Sequence, residues 1–126
     1  MYVQIQAQTL AANILLKEFE RRKKNDQSIS LSDIEIKLED FHKFQLKVLS
    51  DLGKDDTTVF LISLEDSEGG GYIDYTRFFK IDTDNNVLKI ADGVVFEKML
   101  ACYGVLNIEL SKVIDAAFDS VFEKVA

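Results

Sequence analysis

Apolar side chains recur at Val3, Ala7, Leu10, Ala11, Ile14, Leu15 and Phe19, the spacing of one helical face, and predict a helix from residue 3 to about 24. Arg21, Arg22, Lys23 and Lys24 crowd its last turn, where cations complement the negative end of the helix dipole. Asn25-Asp26-Gln27-Ser28 supplies the break. Read as chemistry, the same basic run would be an anion or nucleic-acid patch; the neighbouring Glu18 and Glu20 favour a solvated helix end.

From Ser28 to Ile90 the period falls to two. Ile34-Glu35-Ile36-Lys37-Leu38 and Phe44-Gln45-Leu46-Lys47-Val48 each alternate apolar with polar positions and predict half-buried strands. The second segment has a rival reading, because Phe41, Phe44, Val48 and Leu52 also share a helical face with Gly53 placed as its cap; the alternation favours the strand. Thr57 to Leu64 is apolar on both alternating sets and rich in β-branched residues, which predicts a central strand covered on both faces. Turn residues 51–56 precede it, and residues 65–71, ending in Gly69-Gly70-Gly71, follow. Ile73, Tyr75, Phe79 and Ile81 then share one face of a further strand, and Thr83-Asp84-Asn85-Asn86 turns the chain back through Val87-Leu88-Lys89-Ile90 as a hairpin.

Helical spacing returns in the last third. Asp92 is placed to cap a helix carrying Val95, Phe96, Met99, Leu100 and Tyr103, with Gly104 at its end. Asn107 is placed to cap the last helix, in which Leu110, Val113, Ile114, Ala117, Phe118, Val121, Phe122 and Val125 make a broad apolar face and Glu109, Lys112, Asp115, Asp119 and Glu123 fall away from it. The expected fold is a single α+β domain over residues 1–126: an antiparallel sheet of four to five strands, about 28–90, flanked by an N-terminal helix and two C-terminal helices.

Composition narrows the classes of function. With 126 residues and 47% hydrophobic content the chain can build a core without a metal or disulfide staple. Its 15 Lys plus Arg against 22 Asp plus Glu leave a net charge of -7, which repels phosphate backbones and anionic headgroups, so neither direct nucleic-acid binding nor membrane binding is expected. The N-terminus shows no basic region followed by an apolar run, and no segment is apolar for long enough to span a bilayer, so a cytoplasmic protein is expected.

Candidate chemistry is sparse. Cys102 is the single cysteine and His42 the single histidine, too few for a cysteine- or histidine-built metal site; neither sits in a nucleophile context, and Cys102 reads as a packed helical residue. Asp82-Thr83-Asp84-Asn85-Asn86 copies the opening of a calcium loop, but Val87 stands where the turn glycine is needed and Gly93 where a bidentate glutamate should close it. The carboxylate pairs Asp55–Asp56 and Glu65–Asp66 lie in turns, where solvated charge is ordinary. No catalytic residue, metal or cofactor is therefore expected.

The function expected is that of a non-catalytic protein-binding module, such as a small acidic inhibitor, immunity, chaperone-like or assembly protein, acting through apolar contacts with a protein partner or as a homo-oligomer. Its partner-binding residues would be Phe118 and Phe122 of the last helix, with Asp115, Asp119 and Glu123 beside them. The alternatives are an acidic nucleic-acid mimic that blocks a basic groove, a small-ligand binder or enzyme with a pocket between sheet and helices, and a structural subunit of a virion or complex.

Overall fold

The structure is a computed structural model that describes residues 2–54, 56–62, 79–103 and 108–122. The element order is β1 (Tyr2–Gln6), α1 (Ala7–Lys23), a 3-10 turn (Leu31–Asp33), β2 (Glu35–Lys37), α2 (Leu38–Leu52), β3 (Thr58–Ile62), β4 (Phe79–Asp82), β5 (Val87–Ile90), α3 (Gly93–Tyr103) and α4 (Ile108–Phe122). The class is α+β, as the pattern predicts. Among the described residues no helix is long and apolar enough to cross a membrane.

The strands do not form one antiparallel meander. Among the described residues they divide into a two-stranded parallel sheet, β1–β3, and a three-stranded antiparallel sheet in the order β2-β5-β4. The first residues are a strand rather than the start of a helix, because Val3 and Ile5 alternate with Gln4 and Gln6 and find Val59 and Leu61 directly opposite in register. The expected central strand accordingly has only β1 beside it among the described residues. Val59 and Leu61 pack on the core, while Phe60 stays 54% exposed and meets the exposed Tyr2 edge to face at 5.7 Å.

Residues 44–48, expected as a strand, belong to α2. Helical spacing buries Phe41, Phe44 and Val48 together and releases Leu46, which is 52% exposed; a strand would place Phe44, Leu46 and Val48 on one face. Tertiary context decides between the two periods, since α2 packs against α4 and covers part of its broad apolar face. The Gly53 N–H closes the helix onto the Leu49 carbonyl at 2.9 Å.

The β4–β5 hairpin forms as expected, with Phe79 opposite Ile90 and Asp82 opposite Val87. The N-cap of α3 is also the expected one: the Asp92 carboxylate accepts from the N–H groups of Val94 at 2.9 Å and Val95 at 3.3 Å. The expected strand residues 72–78, the glycines at 69–71, Gly104, Asn107, Val125 and the Cys102 side chain lie outside the described residues.

Helix α1 sits at the centre. Leu10, Ala11, Ala12, Ile14 and Leu15 are all fully buried, which one apolar stripe would not produce; the small Ala11 and Ala12 let neighbours approach on more than one side. It packs against α2, α3, α4 and β2. Phe44, Phe79, Phe96 and Ile114 complete a core to which both sheets contribute.

Candidate binding cleft

The C-terminal turns of α1 run past the core toward solvent, and between them and β2 opens a cleft of about 1040 Å³. Glu18, Arg21 and Arg22 form one wall, β2 with the first turn of α2 another, the β4–β5 turn at Asn85 and Asn86 a third, and Phe122 at the end of α4 closes the side.

Three cations of the basic run at the end of α1, Arg21, Arg22 and Lys23, are engaged inside the chain. Glu18 is buried, and Arg21 holds its carboxylate with two hydrogen bonds, from Nε at 2.7 Å and from Nη2 at 3.0 Å. The Arg21 guanidinium also lies 5.9 Å from the Phe122 ring centre, and Phe122 stacks on Phe118 at 4.6 Å. Lys23 lies over the Phe19 ring at 5.0 Å. Arg22 donates to the Asp33 carbonyl at 3.3 Å, just ahead of β2.

Of the residues expected to hold a partner, Phe118 is buried in the core and supports Phe122 from beneath, whereas Phe122 is half-buried and reaches the cleft. Asp115 is exposed and ion-paired with Lys17, tying α4 to α1; Asp119 is exposed, and Glu123 lies outside the described residues. Cleft residues to which sequence reasoning gave no functional role include Glu18, Glu35, Lys37, Glu39 and Asp40. Only the Glu18–Arg21 pair carried a signal, its i,i+3 spacing on a helix.

The calcium-loop candidate at Asp82 builds a turn, while Asp55, Glu65 and Asp66 lie outside the described residues. The Asp82 carboxylate accepts from Asn85 Nδ2 at 2.8 Å and from the N–H groups of Asp84 and Asn85, so it organises the hairpin turn. Those bonds, the Asn85 side chain first, hold it below the ordinary carboxylate range. Asp33 is lowered likewise by the Ser30 N–H and hydroxyl, and Asp26 by the Ser28 hydroxyl and N–H. His42 is exposed on α2. No group of three or more His, Cys, Asp or Glu side chains suited to a metal ion occurs among the described residues.

No protein-family model, curated protein or solved structure matches the chain. The reading of function therefore rests on the cleft itself.

Proposed function

We propose that the chain is a non-catalytic protein-binding module, of the inhibitor, immunity, chaperone or assembly kind, and that it holds its partner at the cleft around Phe122. The observation that carries this reading is the half-buried aromatic wall, braced by Phe118 and Arg21, beside a cleft open to solvent. A rigid aromatic loses little conformational entropy on contact, and surrounding polar groups supply a rim. The acidic-mimic alternative draws less support, because Lys17 already compensates Asp115.

The test is affinity capture with the tagged chain at low and high salt, followed by titration of the purified partner. Phe122→Ala is expected to weaken binding roughly tenfold or more while its melt confirms an intact fold. Neutralising Asp115, Asp119 and Glu123 together should chiefly slow association and change its salt dependence. Loss of binding in the neutralised variant alone, with displacement by duplex DNA, would replace this reading with the nucleic-acid mimic. Retention of no partner at either salt, with light scattering showing only monomer, would leave neither a protein partner nor a homo-oligomer.

A further inference from the structure

We draw no further inference here: the strongest candidate, the exposed Tyr2–Phe60 aromatic pair on the outer face of the β1–β3 sheet, carries none, because nothing in the structure shows what covers it.

Discussion

Truncating Phe44 and Leu46 to alanine, one at a time, separates the helical from the extended reading of residues 44–48. Phe44 is fully buried between α2 and the core, so Phe44→Ala should cost about 3 to 5 kcal/mol, the transfer of the ring plus the cavity it leaves. Leu46 is 52% exposed, and less than half of its side-chain contact with the protein is at stake. At roughly 1.5 to 3 kcal/mol for full burial of such a side chain, Leu46→Ala should cost about 1 kcal/mol or less. Alanine suits a helix at either position, so propensity does not blur the comparison. Urea unfolding followed by circular dichroism measures both, with an unchanged slope showing that the unfolded state is the same. On a sheet face the two side chains would lie side by side and cost alike. Equal losses of several kcal/mol would refute the helical packing of α2 against α4.

Two smaller perturbations test local structure. Asp92→Ala removes the acceptor for the first N–H groups of α3 and should lower stability by about 1 kcal/mol, read as a drop in melting temperature, with Asp92→Asn retaining most of it. Acid should act through Asp26, Asp33 and Asp82, whose folded carboxyls sit below the ordinary value of 3.8. A depressed folded pKa contributes stability that is complete above the unfolded value and is lost as pH falls through the folded one, so melting temperature should decline as the solution is taken below pH 3.8. Asp33→Asn should make that decline shallower.

Pattern and turn chemistry located most elements, and the failures share a cause. The hairpin at Asp82–Val87 and the Asp92 cap were legible because each is a local contact within a few residues, written in residue type and offset. The parallel pairing of β1 with β3 was not, because Tyr2 and Thr58 are brought together across α1, β2 and α2, and nothing in the strand Tyr2–Gln6 specifies a remote partner. Five alternating residues running straight into helical spacing also read as one helix. At Phe44–Val48 two periods fit the same side chains, and only the neighbouring apolar face of α4 selects one. Within the cleft, Phe122 was visible as part of an apolar stripe, but its separation from Phe118 into wall and support depends on packing.

Charge around the cleft serves the fold and does not favour one sign. Glu18 is held by Arg21 and Glu35 is matched by Lys89, while Arg22 interacts with the carboxylates of Asp26 and Asp33. Glu39 and Asp40 line the same cleft as Lys37, so both signs of charge are present in its lining. The Glu18–Arg21 bonds keep a buried charge satisfied and brace Phe122 through the guanidinium. With the charges mixed, net charge selects no ligand there, and the braced aromatic wall is what sets this part of the surface apart.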